Sequence, residues 1–311
     1  MVVTWYNPTQ DYVQNALSYA WYFDQIIIVD NTEGNNTALA AQIPNALYIP
    51  NNKNLGVGKA LNQGIEAALI ENSKGREYRW VMTMDQDSAW EKEQLEKYIS
   101  LCIERNEQDE TVKSFSPNTR IPSHSTLGIW KRKIYSFIAK KQYQEKKDKG
   151  FGFVDFVRCS GNAVEIEVWQ KVGRYNDVLF IDYVDNDFCW KLREAGYKIF
   201  RFDNVSMKHQ TANKIKTPKR RPLIPSYLKI NIPKYANNNP SRIFYSARNC
   251  LYAMKLHPEY AKNCKRDFYD RVIAFCVFNR AALRNIKIFI RAYKDYKQTL
   301  LPLIKVSQEK M

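Results

Sequence analysis

Hydrophobic positions along the first two thirds of the chain switch between short runs and a helical period. Val2-Val3-Thr4-Trp5 is an apolar stretch stopped by Asn7-Pro8, a pair that opens turns and cannot continue a central ladder. Residues 11–22 carry Val13, Leu17 and Ala20 or Trp21 at helical spacing. Ile26-Ile27-Ile28-Val29 then ends in Asp30-Asn31, four branched residues of the kind a strand covered on both faces requires. The same pattern predicts a strand over 46–49, a glycine- and asparagine-rich loop over 51–58, a helix over 59–69, a strand over 81–84 and a helix over 91–106. Strand, helix, strand is the opening of a nucleotide-binding half-sheet.

The pattern resumes at Phe153–Val164, read as one strand interrupted by Ser160-Gly161-Asn162, and continues with a helix from near Glu167 to Gly173. A second helix spans Phe188 to Ala195 and is closed by Gly196, and strands follow over 197–202 and 205–209. Between the two halves, 115–150 holds Lys131-Arg132-Lys133, Lys140-Lys141 and Lys146-Lys147 and reads as an exposed loop or hairpin. Past Met207, eight basic residues up to Lys234 lie among Pro218, Pro222, Pro225 and Pro233 with no acid, an extended surface strip. Phe268, Val272, Phe275, Leu283, Ile286, Phe289 and Tyr293 then form a helical stripe surrounded by arginine and lysine. Two regions are expected, 1–212 and 213–311.

Composition narrows this picture. At 311 residues and 45% apolar content the chain can bury a large core. Its net charge of +16 asks for an anionic partner: nucleic acid, an anionic membrane or a phosphorylated substrate. No helix-turn-helix, zinc-finger or base-stacking motif supports nucleic acid. The six cysteines are scattered without a CxxC pair, which reads as free thiols in a reducing cytosol. No apolar run has the flanks of a signal peptide or the length of a membrane span, so a cytoplasmic protein is expected.

Asp85-Gln86-Asp87 ends the strand over 81–84 and places two carboxylates where open α/β sheets keep their ligands. Such a pair suits Mg²⁺ or Mn²⁺ held together with substrate phosphates. Gly56 and Gly58, just before a helix, offer a second anion site, although the loop lacks the lysine ending of a phosphate-binding Walker motif.

These segments resemble, in order, the family-2 inverting glycosyltransferases and their rhamnosyltransferase-like branch. The matching pieces are Val3-Thr4-Trp5-Tyr6-Asn7-Pro8, Val29-Asp30-Asn31, Asn54-Leu55-Gly56 with Ala60-Leu61-Asn62-Gln63-Gly64-Ile65, Asp85-Gln86-Asp87, Ser160-Gly161-Asn162, and Phe180-Ile181-Asp182-Tyr183-Val184-Asp185 running into Cys189–Tyr197. The resemblance implies an α/β glycosyltransferase A-type fold, a Rossmann-like mostly parallel sheet with flanking helices, followed by a helical C-terminal extension. It implies a donor site built from Thr4, Trp5, Asn7, Asp30, Asn54, Gly56, Lys59, Asp85, Gln86 and Arg248. It further implies a metal held by Asp85, Asp87 and His209, and Asp185 as the base that deprotonates the acceptor, with Asp182 and Asp187 as rival acids and Trp190 beside the acceptor. Val184-Asp185 stands where many relatives have Glu-Asp, and Asp187 is the acid expected to cap the following helix.

The implied reaction moves a sugar, L-rhamnose from dTDP-rhamnose by the resemblance, onto a bacterial surface polysaccharide or lipid-linked glycan. A UDP-hexose or UDP-galactofuranose donor is the nearest alternative, and a nucleotidyltransferase or a basic nucleic-acid-binding protein the more distant ones. The basic C-terminal stripe adds an anionic membrane surface as a partner, on the inner face of the cytoplasmic membrane.

Overall fold

The computed structural model describes residues 1–119, 151–209, 239–272, 276 and 282–308. The basic cluster of 131–147 and nearly all of the proline-rich strip lie outside them. The described residues divide into two compact units, one holding 1–119, 151–180 and 184–209, the other holding Ile181–Tyr183 and the residues from 239 onward.

The first unit is built on a nine-stranded sheet. Strands β1 (Val2–Trp5), β2 (Ile26–Asp30), β3 (Ala46–Pro50) and β4 (Trp80–Asp85) run parallel in the order β3-β2-β1-β4. Helix α1 (Gln10–Leu17) connects β1 to β2, the short α2 (Thr37–Ala40) precedes β3, and α3 (Val57–Ser73) returns to β4. Helix α3 lies so close to β1 that a methyl on Gly64 would collide with Val2. The half-sheet expected from the apolar runs is therefore present. All five residues of β2 are buried, as a strand covered on both faces must be.

Past β4 the sheet becomes mixed. After β5 (Ser88–Ala89) and α4 (Lys92–Gln108) come β6 (Val112–Thr119), β7 (Phe151–Phe153) and β8 (Asn162–Glu165). Helices α5 (Ile166–Lys171) and α6 (Val184–Glu194) lead to β9 (Lys198–His209). Strand β8 pairs antiparallel with β4 and with β6, β9 is parallel to β6, and β5 and β7 both run antiparallel to β9. Three expectations change. Phe153–Val164 is two short strands separated by a loop, because Gly161 sits at φ +77° where its N–H turns to Thr83 O. The two strands at 197–202 and 205–209 are one, with a register shift between Pro117 and Asn118 of β6 absorbing the irregularity. Helix α6 begins at Val184, four residues earlier than its apolar periodicity indicates.

Val3, Trp5, Ile26, Ile28, Met82 and Met84 pack into one core with Tyr98, Phe115 and Phe202. Each such side chain removed from water is worth about 1.5–3 kcal/mol.

The second unit is helical. Helix α7 (Pro240–Leu256) has a sequence-encoded start, with Asn239 Oδ1 accepting the Ser241 N–H at 3.0 Å and proline in the first turn. Helices α8 (Ala261–Val272) and α9 (Ala282–Asp295) follow, then a π turn over Tyr296–Leu300 and α10 (Leu301–Gln308). Ile243 and Ile288 join α7 to α9 with Phe244 and Phe289 packed around them. Among the described residues, no helix is long and apolar enough to cross a membrane.

Candidate active site

Strand ends and register assemble one carboxylate-histidine cluster. Asp85 closes β4 beside Thr4 of β1, and Asp87 follows in the turn to β5. Strand β5 pairs with the far end of β9 so that Ser88 sits opposite His209. One ligand atom from each of Asp85, Asp87 and His209 lies within 4.8 Å of the others. The His209 Nδ1 is 3.5 Å from Asp87 Oδ1 and 2.8 Å from Ser88 Oγ. A ring nitrogen of neutral His209 that carries no proton has a lone pair to offer a cation.

Ser160, from the Ser-Gly-Asn motif, ties the cluster together. Its hydroxyl accepts the Asp85 N–H at 3.2 Å and donates to Ser88 Oγ at 2.7 Å, and so links the Asp85 backbone to the hydroxyl beside His209. Its neighbour Asn162 is buried and bonds Ser114 Oγ and Phe115 O, which locks β8 against β6. The sequence pattern marks this motif without showing that Ser160 serves the acids.

The cluster fits a divalent cation. Among the described residues nothing donates a hydrogen bond to the buried Asp87 Oδ1, a costly arrangement unless a positive charge meets it. Burial raises the Asp87 carboxyl above its ordinary range, against the fields of His209 and of Arg158, an exposed residue absent from the sequence-derived site. Carboxylate oxygens with one imidazole suit Mn²⁺ somewhat better than Mg²⁺.

The three acids around α6 separate cleanly. Asp187 is fully buried and ion-paired with Lys191 at 2.8 Å, one helical turn on. It lies inside the first turn of α6 and pairs along the helix, in place of the capping role expected from sequence. Asp182 is gripped by Arg242, whose Nη2 and Nε lie 2.7 and 3.1 Å from Oδ1. Asp185 remains half-buried in the first turn of α6. Burial drives the Cys159 thiol well above its usual range, and the fields of Asp185 and Asp85 add to that, so both acids act on one buried neighbour.

Several residues expected at the donor have partners within the protein. Asp30 is 1% exposed, and its oxygens accept from Thr32 N, Asn36 Nδ2 and Tyr48 OH at 2.7–2.9 Å. Trp5 is enclosed in the core, on the same face of β1 as Val3. Gln86 spends its amide on Tyr6, accepting from its N–H at 2.7 Å and donating to its O at 2.9 Å. Asn54 Oδ1 accepts the Gly56 N–H, and Lys59 pairs with Asp177 at 3.2 Å. The N-terminus of α3 is no open anion site, because the Val57 N–H donates to Phe180 O at 2.6 Å. Trp190 is buried within α6. Arg248, in the second unit, is buried with Nη1 3.3 Å from Asp295 Oδ2 and Nε bonded to Asn249. Thr4 is half-buried beside Asp85, and Asn7, at φ +49°, donates its N–H to Thr32 Oγ1 at 2.7 Å. Tyr6, between them and omitted from the expected set, is the exposed aromatic ring at this strand end.

The 60–65 segment of α3 is tied to its surroundings by side-chain amides. Asn62 donates to Tyr175 O and accepts the Tyr175 N–H, and Gln63 exchanges bonds with Asn51, which also reaches Asn31. These amides fasten α3 to the loops on either side of it.

Known proteins are similar to this chain. The dTDP-rhamnosyl transferase RfbF of Shigella flexneri is 27% identical over 237 residues, 74% of this chain and 70% of that protein. Among solved structures, S. aureus TarS matches with a TM-score of 0.51 and 13% identity over 96% of this chain and 48% of its own. GalNAc-T7 with UDP, GalNAc and Mn2+ matches with a TM-score of 0.47 and 12% identity over 67% and 43%. The chain thus spans about half the length of these solved structures, and the likeness to TarS is one of fold. The sequence model of glycosyl transferase family 2 matches residues 2–162, just over half of the 311, with Asp85 and Asp87 inside the match, and the chain belongs to that family.

Proposed function

We propose that this glycosyltransferase moves L-rhamnose from dTDP-rhamnose onto a hydroxyl of a surface polysaccharide or lipid-linked glycan, with inversion at the anomeric carbon. The observation that carries the site is the meeting of Asp85, Asp87 and His209 through the Ser88–His209 register. The sugar rests on the similarity to a dTDP-rhamnosyl transferase.

In this reading Asp85, Asp87 and His209 hold Mn²⁺ or Mg²⁺, which supplies positive charge to the donor diphosphate. Asp185 takes the proton of the acceptor hydroxyl as its oxygen bonds to the anomeric carbon. The bond from that carbon to the diphosphate oxygen breaks on the opposite side, and its electron pair leaves with dTDP. Thr4, Asn7 and the ring of Tyr6 line the nucleotide side, on a floor made by Asp30, Gln86 and Trp5. Among the three acids the family resemblance favours Asp185 as the base, while Asp187 pairs with Lys191 and Asp182 with Arg242.

The outer face of α9 supports a membrane-surface contact. Leu283, Ile286, Ile290 and Tyr293 form an exposed stripe flanked by Lys287 and Lys294, while Asn285, Ile288 and Ala292 on the other side are buried. We place the protein on the cytoplasmic side of the membrane on this basis.

A thermal-shift panel tests donor and metal together. The expected result is stabilisation by dTDP and dTDP-rhamnose that grows with Mn²⁺. Stabilisation by UDP-sugars alone would replace the rhamnose reading, and no nucleotide effect with or without metal would remove the donor site.

A further inference from the structure

The chain enters α6 through backbone that ordinary residues avoid. Phe180, Asp182 and Tyr183 all have φ between +60° and +68°, the left-handed region that costs any residue with a Cβ. Such a run persists only where its surroundings hold it, and the holders within the second unit are visible. Asn249 of α7 is completely buried and donates its amide to Ile181 O at 2.8 Å and to Asp182 O at 2.9 Å. Its own oxygen accepts Arg248 Nε at 2.9 Å, which fixes which end of the amide faces the loop. Arg242, in the first turn of α7, forks onto the Asp182 carboxylate. Tyr183 OH bonds Asp267 at 2.6 Å, and Asp267 is held by Arg271 at 2.9 Å.

We propose that Asn249 is a positioning residue for transfer: by clamping the carbonyls of Ile181 and Asp182 it sets the backbone that presents Asp185 three residues further on. The proposal rests on the reading of Asp185 as the base. An asparagine suits the task because one planar –NH₂ meets two carbonyls at once. Glutamine would push the amide a methylene too far, and aspartate would set a carboxylate oxygen against both carbonyls. Misplacing a reacting group by an ångström costs about a hundredfold in rate, so a loop released toward ordinary backbone dihedrals affects turnover before it affects nucleotide binding.

The decisive variant is Asn249→Asp, which keeps the shape and strengthens the pairing with Arg248. Its kcat, its affinity for dTDP with Mn²⁺ and the hydrogen exchange of amides 181–184 are measured beside wild type. We expect kcat to fall at least tenfold, dTDP affinity to stay within twofold, and exchange at 181–184 to quicken. A kcat within twofold of wild type overturns the proposal, as does a parallel loss of kcat and dTDP affinity, which would mark a general structural role. Should Asn249→Asp not fold, Arg242→Gln, at a half-exposed side chain, is read by the same three measurements. Asp185→Asn is assayed in parallel: near-normal turnover there sinks the base assignment, while the exchange data still report whether Asn249 holds the loop.

Discussion

Gly56 and Phe180 touch backbone to backbone: a Cβ on Gly56 would lie 2.7 Å from the Phe180 carbonyl oxygen, the atom to which Val57 donates. A glycine-rich loop that looks made for phosphate is thereby committed to the segment that leads to Asp185. Gly58 does the same two residues later, where a Cβ would meet Asn176 O at 2.9 Å.

Gly56→Ala therefore carries two penalties, a collision with main chain and a side chain at φ +87°. The expected loss of stability is about 2–4 kcal/mol, larger than for a glycine in an open turn. Gly173→Ala, at φ +92° with open space around it, is the control, with a loss of about 1 kcal/mol. Urea unfolding of both variants checks the order, and equal losses would show that the contact with Phe180 is unimportant.

Ser160→Ala should weaken metal binding without removing a ligand. It deletes the hydrogen bond to Ser88, whose oxygen meets His209, and the acceptor for the Asp85 N–H. Changes to groups that orient ligands cost about 10–100-fold in metal affinity. Titration of Mn²⁺ in the presence of dTDP measures it, and an affinity within twofold of wild type would count against the chain of contacts.

Asp185→Asn and Asp187→Asn should fail in different ways. The first should lower kcat by about 10³-fold or more while the melting temperature and dTDP binding hold. The second strips a buried ion pair with Lys191, leaves the lysine without its counter-charge, and should cost about 3 kcal/mol or more of stability. Melting curves and single-turnover assays on both proteins separate the roles. A cold-stable but inactive Asp187→Asn protein would reverse the assignment.

Anionic vesicles should bind the protein at low salt, and neutral ones should not. Each lysine near an anionic surface contributes about 1 kcal/mol, so Lys287→Gln and Lys294→Gln should weaken sedimentation about fivefold apiece. Leu283→Ser with Ile290→Ser should weaken it on both vesicle types. Dimer formation through this face, seen by light scattering and lost in the serine variant, would instead assign the stripe to a second copy of the chain.

The parallel half-sheet could be read directly from Ile26–Val29 and its flanking turns, because burial on both faces forces a continuous apolar run. Asp85 and Asp87 stood out at the end of an apolar run, but such a pair is common in loops, and it was the order of the surrounding motifs that gave it weight. Ordered motifs also supplied the family. What local pattern could not carry was which polar residue meets which. Asp30, Gln86, Asn54 and Lys59 carry ligand-binding chemistry in sequence, yet their partners are Tyr48, Tyr6, Gly56 and Asp177, most of them far along the chain. The surroundings of Asp182 and Asp187 likewise depend on Arg242 and Lys191, and the meeting of Asp85, Asp87 and His209 on a strand register that sets Ser88 opposite His209 across 121 residues. Sequence thus determined the elements and the acids, since periodicity and strand ends are local properties. Tertiary structure decided their partners, since the charges and donors that meet a carboxylate are brought to it by folding.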